Sequence, residues 1–184
     1  MNLTIQDFEK IQELLQDASL DYQMELQDGN IVIMGPSDIV SSEISARLIA
    51  FLFVWIEPRK LGRLFDSSGG FILSDTNLRA PDVSFVSAER LRQSPRGFGQ
   101  LIPDMVVEIK SKTDRFKKIE EKIEMYLVLA ARVGIIIDPD QQTVTIYRPH
   151  SEPTVLNNED NLTIPELFPG WELPVAELWP PVFD

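Results

Sequence analysis

The chain predicts an α/β fold, a mixed central β-sheet flanked by helices, on three observations. Apolar residues recur at helical spacing in three segments. Short apolar runs bounded by Gly, Ser, Asn and Pro read as strands, and Asp28-Gly29 separates two such runs as a hairpin turn.

In order, Thr4 caps a first helix with Asp7 three residues on, and Phe8, Ile11, Leu14 and Leu15 form its apolar stripe. Residues 22–27 and 30–34 make the hairpin. Ser37 or Asp38 opens a second helix running to about Glu57, where Pro58 ends it; its nearly continuous apolar surface predicts burial. Strands follow at residues 63–66, 70–73, 82–87 and 105–110. The stretch 90–99 has no pattern and reads as a mobile loop. Thr113 or Asp114 caps a third helix carrying Phe116, Ile119, Ile123, Tyr126, Leu127 and Ala130 inward and stopping at Gly134. Strands 133–138 and 143–148 flank the turn Pro139-Asp140-Gln141-Gln142. One domain is expected over 1–184, divided into an N-terminal helix and hairpin (1–36), a core (37–149) and a C-terminal strap (150–184). Phe168, Trp171, Trp179 and Phe183 lie in a tail too rich in proline to bury itself easily, which predicts either a strap or a homodimer interface.

Composition limits the chemistry. There is no cysteine, and the lone histidine, His150, falls in a polar turn, so thiolate chemistry, histidine catalysis and a His/Cys zinc site are set aside. Carboxylates remain as metal ligands, and they suit magnesium or manganese. The N-terminal residues lack the basic start and apolar core of a signal sequence, and no run of about 18 uncharged apolar residues occurs. The expected location is cytoplasmic. Net charge is −12, unevenly spread: residues 1–30 carry one base and seven acids, residues 140–184 one base and eight acids, and residues 89–118 eight bases and four acids. A basic segment inside an acidic chain is either where a phosphate backbone would lie or simply a solvated loop and helix start.

The ionisable residues within apolar strands single out a site. Asp82 opens the strand Pro81-Asp82-Val83-Ser84-Phe85-Val86, and Glu108 and Lys110, two residues apart, leave the same face of the strand that follows. Charges buried in strands are costly unless they are paired or hold a metal. Each has a plainer reading: Asp82 as a turn cap, and Glu43 of the second helix as a surface partner of Arg47 four residues on. Asp104 reads as a cap at the strand start. Lys122 and Tyr126 share a helical face and either support the site or, for the lysine, snorkel to solvent.

Pro81-Asp82 followed by Glu108-Ile109-Lys110 resembles the PD-(D/E)xK nuclease signature, and the chain from about Ser41 to Trp179 resembles the Uma2 family of restriction-endonuclease-like proteins. The resemblance runs through Ser42-Glu43-Ile44, Phe65 to Phe71, Ala80 to Val83, Pro103 to Glu108, Lys122 to Tyr126, and Ile137-Asp138-Pro139 to Pro149. It implies a restriction-endonuclease-like core that hydrolyses DNA with Mg2+ or Mn2+. Asp82, Glu108 and the carbonyl of Ile109 would hold the ion, Lys110 would orient water or neutralise charge, and Glu43 would stand beside the metal. Many family members lack the lysine of the triplet, which this chain keeps. The rival reading is a non-catalytic dimeric DNA-binding module on the same fold.

Overall fold

The computed structural model describes residues 2–183, so Met1 and Asp184, the two ends of the expected 1–184 domain, lie outside it. Helix α1 (Ile5–Asp17) begins as the sequence predicts: the Asp7 N–H donates to Thr4 Oγ1, and Asp7 accepts from the Thr4 N–H at 3.0 Å. Strands β1 (Gln23–Gln27) and β2 (Asn30–Met34) pair in antiparallel register, and Asp28 and Gly29 turn between them with φ of 49° and 75°. Two successive positive φ values are what a two-residue hairpin needs to match strand twist, hence Asp-Gly. This hairpin does not join the central sheet. It extends β4 (Phe71–Ser74) and β5 (Asn77–Arg79) into a separate four-stranded antiparallel sheet, in the order β2-β1-β5-β4.

The central sheet has six strands in the order β10-β9-β8-β7-β6-β3: β3 (Gly62–Asp66), β6 (Val83–Ser87), β7 (Met105–Ile109), β8 (Val133–Asp138), β9 (Thr143–Tyr147) and β10 (Thr154–Leu156). Only β7 and β8 run parallel. Parallel neighbours cannot be joined by a tight turn, so helix α3 (Phe116–Val128) makes the crossover. Alternation along β7 then fixes two layers. Met105, Val107 and Ile109 face helix α2 (Ile39–Arg59) and its Ile44, Leu48, Leu52 and Ile56, while Val106 packs on the other face with Ile123 and Tyr126 of α3. Gly134 of β8 permits the closest part of that second contact, since a Cβ there would lie 2.3 Å from Ile123 Cγ2. It is a packing residue inside a strand and does not stop α3, which ends at Val128, before Ala130 with φ 81°.

Helix α2 is capped by Asp38, whose carboxylate accepts the Ser41 N–H at 3.0 Å, and Pro58 sits within its last turn. By length and composition it could cross a bilayer, but one face lies in the core of the six-stranded sheet. Its outer face leaves Phe53 and Val54 exposed.

The C-terminal aromatics depart from the interface expectation. Phe168 is fully buried and packs edge-to-face on Phe85 of β6 at 4.8 Å, and Trp171 is buried against Phe168. Trp179 is half-buried and donates to Asn158 Oδ1 at 2.7 Å. A short hairpin of β11 (Asn161–Thr163) and β12 (Glu172–Pro174) gives the tail enough internal hydrogen bonding to lie on the core as a strap. Of the four aromatics, only Phe183 is exposed. The 90–99 loop is likewise anchored: Arg63 donates to the carbonyls of Leu91 and Arg92, Phe98 packs on Phe8, and Gly99 bridges to Phe71.

Candidate active site

The antiparallel register of β6 on β7 pairs Val83 with Val107; continued by one residue, it sets Asp82 directly across from Glu108. Like charges in that position repel. Asp82 is fixed by its own partner strand, because Asp82 Oδ2 accepts the Ile109 N–H at 2.7 Å. Glu108 is buried on the α3 side of the sheet. Burial pushes its carboxyl up to about 7, with the adjacent Asp82 adding to the rise and Lys122 opposing it. Burial also raises Asp82, against the lowering effect of the Ile109 hydrogen bond.

Lys122 approaches this pair from α3. Its Nζ lies 2.8 Å from Glu108 Oε1, an ion pair that gives this buried oxygen its charge partner. One helical turn on, the Tyr126 hydroxyl is buried and unpartnered beneath the site, and burial raises its pKa well above the ordinary value. Both residues expected to support the site are therefore beside it. A further acid, Glu25 of β1, completes the group. It is 1% exposed, with Oε1 accepting the Ala80 N–H at 2.8 Å and standing 3.8 Å from Lys122 Nζ. The alternation Met24, Leu26 against Gln23, Glu25, Gln27 assigns Glu25 to the polar face of the hairpin. Of that face only Glu25 is buried, by Ala80, Arg79 and Lys122 from distant parts of the chain, which sequence periodicity does not reveal. In the sequence Glu25 is one of three polar side chains alternating with apolar ones on a strand, a pattern that does not distinguish it from Gln23 and Gln27.

Two residues placed in the site by sequence lie elsewhere. Lys110 follows β7, and the parallel register with β8 sets it beside Asp138. Its Nζ is drawn sideways to Asp140 Oδ2 at 2.5 Å and lies 3.9 Å from Asp138 Oδ1. Shared strand face with Glu108 does not bring the two heads together, because the acidic β8–β9 turn is nearer. Glu43 pairs with Arg47 at 2.9 Å, and it is Ser41 and Ser45 of α2 that turn toward the site, bonding to the carbonyls of Lys110 and Asp82. Glu43 lies two residues from each and so on the opposite side of the helix. Asp104 is a cap as expected, accepting the Ser87 N–H and Arg90 at 2.8 Å each.

Asp82, Glu108, Ile109 and Lys122 line a half-open cleft of about 1360 Å3. One rim carries Lys112, Arg115 and Lys118 at the start of α3, and the other carries Gln23 and Gln27 of the hairpin. The basic segment 89–118 is thus divided. Since β6 and β7 are antiparallel, the loop that joins them, with Arg90, Arg92 and Arg96, leaves from the opposite end of the sheet and contributes nothing to the cleft lining.

A family model described as Uma2, "Putative restriction endonuclease", matches residues 5–176. The chain belongs to the Uma2 family. The crystal structure of a protein described as "a putative nuclease belonging to DUF820" from Anabaena variabilis superposes with a TM-score of 0.80, covering 96% of this chain and 97% of that one at 23% identity. That likeness establishes a shared fold. No curated protein matches the sequence. The Uma2 match spans the hairpin and Glu25 as well as Asp82, Glu108 and Lys122.

Proposed function

We propose that this Uma2 protein is a divalent-metal-dependent endonuclease hydrolysing phosphodiester bonds in DNA at Asp82 and Glu108. The observation that carries the reading is the facing carboxylate pair across β6 and β7 at the floor of a cleft. Two buried acids facing each other, both with carboxyls shifted upward, form a donor set that gains from a hard cation. Among the described residues no three His, Cys, Asp or Glu side chains gather as a metal cluster. Magnesium suits such a site, since it is commonly held by one or two carboxylates with waters and phosphate oxygens completing the shell. The Ile109 carbonyl is the further protein oxygen assigned to it. A bound ion would polarise the phosphate and make a water more acidic.

The chain's own groups supply the rest. The Ile109 N–H holds Asp82 in one orientation. Lys112, Arg115 and Lys118 on the rim offer cations to the flanking phosphates, and no ion pair engages these three among the described residues. No aromatic side chain lines the cleft, which favours contact through the backbone over stacking on bases.

The test is calorimetric titration with Mn2+ together with cleavage of plasmid, single-stranded and structured DNA. Saturable binding and cleavage, both lost in Asp82→Ala, are the expected result. A protein that binds DNA yet neither binds Mn2+ nor cuts would be the non-catalytic module instead.

A further inference from the structure

We propose that the end of the six-stranded sheet opposite the cleft is a second, non-catalytic nucleic-acid site, in which a row of strand-end arginines and the 90–99 loop bind the phosphate backbone. The proposal concerns a surface outside the cleft and stands whether or not the cleft cuts. Register brings the row together. Gly62 pairs with Ser87, Met105 with Val133 and Gly134 with Tyr147, so the starts of β3, β7 and β8 and the ends of β6 and β9 share one end of the sheet. The cleft lies off the other end, beyond Val83 and Ile109. At the first end Arg63, Arg90, Arg132 and Arg148 follow one another in strand order, and hydrogen bonds tie neighbour to neighbour. Arg63 donates to the carbonyls of Leu91 and Arg92 at 3.1 and 2.7 Å. Arg90 pairs with Asp104 at 2.8 Å, and the Asp104 carbonyl accepts the Arg132 N–H at 2.8 Å. Arg132 and Arg148 both reach Glu166, one at its carbonyl and the other at its carboxylate, at 2.8 and 2.6 Å. With ~4.8 Å between strands, a row from β3 to β9 is about 19 Å long.

Free cations outnumber free acids at this end. Arg92 and Arg96 of the loop are exposed, and the Ala88 N–H donates to the Leu61 carbonyl, which brings Lys60 alongside. Among the described residues Lys60, Arg63, Arg92, Arg96 and Arg132 join no ion pair. The exposed acids of the same segments, Glu57, Glu89 and Glu152, are fewer. In a chain of net charge −12 such a local excess is where a polyanion meets least repulsion. Guanidinium forks also match phosphate oxygens two at a time. An acidic protein surface would need an apolar core to close around, and this end has none: residues 92–97 are Arg-Gln-Ser-Pro-Arg-Gly, and no exposed large apolar side chain falls within 59–63 or 89–97. The loop is already held by Arg63 and by Phe98 on Phe8, so its arginines are presented without a further ordering cost. The length of the strands, about 17 Å for five residues, stands between this end and the cleft. The two surfaces therefore meet different phosphates.

The experiment measures binding of the full chain to a labelled DNA duplex by fluorescence anisotropy over a series of salt concentrations, with EDTA present so that nothing is cut. Arg92→Gln combined with Arg96→Gln should weaken binding about tenfold at low salt and reduce the slope of log affinity against log salt by about two, one for each phosphate contact removed. Lys60→Gln should reduce the slope by about one. Both proteins should keep the wild-type thermal midpoint, because no hydrogen bond or ion pair of the described residues uses these side chains. Lys10→Gln, which removes an exposed cation of α1, should leave the slope unchanged. An unchanged slope in the double variant, an equal loss per charge in Lys10→Gln, or no DNA binding by the wild type at low salt overturns the proposal. So does a self-association, followed by sedimentation, that the double variant loses while its DNA slope stays that of the wild type, since this end would then receive an acidic face of a second copy. A separate cleavage assay that finds no cutting removes the nuclease reading and leaves this one to the salt slopes.

Discussion

Two buried carboxylates stand near the ends of β7, and their surroundings differ in kind. Asp104, just before the strand, is 1% exposed and satisfied by the Ser87 N–H and Arg90. Glu108, near the other end, is 8% exposed, faces another acid across the sheet and is met by the Lys122 ammonium at 2.8 Å. Burial is common to both, so it does not distinguish a site from a cap. Surroundings do: at one end the fold spends a carboxylate on a backbone N–H and an arginine, and at the other it sets two acids and a lysine at the wall of a cleft.

That contrast is broken most directly by chemistry. Glu108→Gln should lower cleavage by a hundredfold or more, roughly the loss when one transition-state-stabilising group is removed, whereas Asp104→Asn, assayed well below its melting temperature, should cut normally. Equal losses would mean that the two ends do not differ in function. Stability should show the reverse order. Asp104→Ala removes the acceptor of a buried N–H and the partner of Arg90, at a cost of about 2–3 kcal/mol measured by urea unfolding.

A pH series sharpens the comparison. Glu108 titrates at about 7 in the fold against an ordinary 4.5, chiefly because burial disfavours its charge. Between those values the folded chain holds a proton that the unfolded chain has released, so the metal-free protein should lose stability as pH rises from 4.5 to 7. Asp82, also raised, contributes in the same sense from a lower starting point. Thermal midpoints that fall across this window in the wild type and flatten in Glu108→Gln are expected; midpoints that rise would contradict the buried-acid picture. The smallest effect belongs to Lys110→Ala. Its main partner, Asp140, is exposed, so denaturant unfolding should report a change under about 1 kcal/mol.

Much of this was legible in the sequence. Asp28-Gly29 gave the hairpin, the Thr4/Asp7 pair gave the first helix cap, and apolar runs gave the strands β6 to β9, because each signal is local. Asp82 and Glu108 were legible as ionisable residues in apolar strands, and the register of β6 on β7 sets them across from each other. What the sequence left open depended on distant neighbours. Lys110 could be assigned to a strand face, but its head followed Asp140, thirty residues on. Glu43 showed both a catalytic and a surface reading, and the rotation of α2 decided for Arg47. The aromatics of the tail looked unburied because proline count says nothing about a hairpin that carries them onto Phe85. The basic segment looked continuous until antiparallel pairing sent its halves to opposite ends of the sheet.

Gly134 then acquires a meaning beyond packing. Ile123, the residue that seats against its bare Cα, is the immediate neighbour of Lys122, so the height at which α3 rides over β8 is also the height from which the lysine reaches down. A single added methyl would act as a wedge, lifting the helix by part of a carbon diameter or tilting it. The core could absorb much of that by repacking, but the 2.8 Å pairing of Lys122 with Glu108 has less latitude. The missing side chain at position 134 serves as a depth stop, a mechanical tolerance written into a strand that lines none of the cleft.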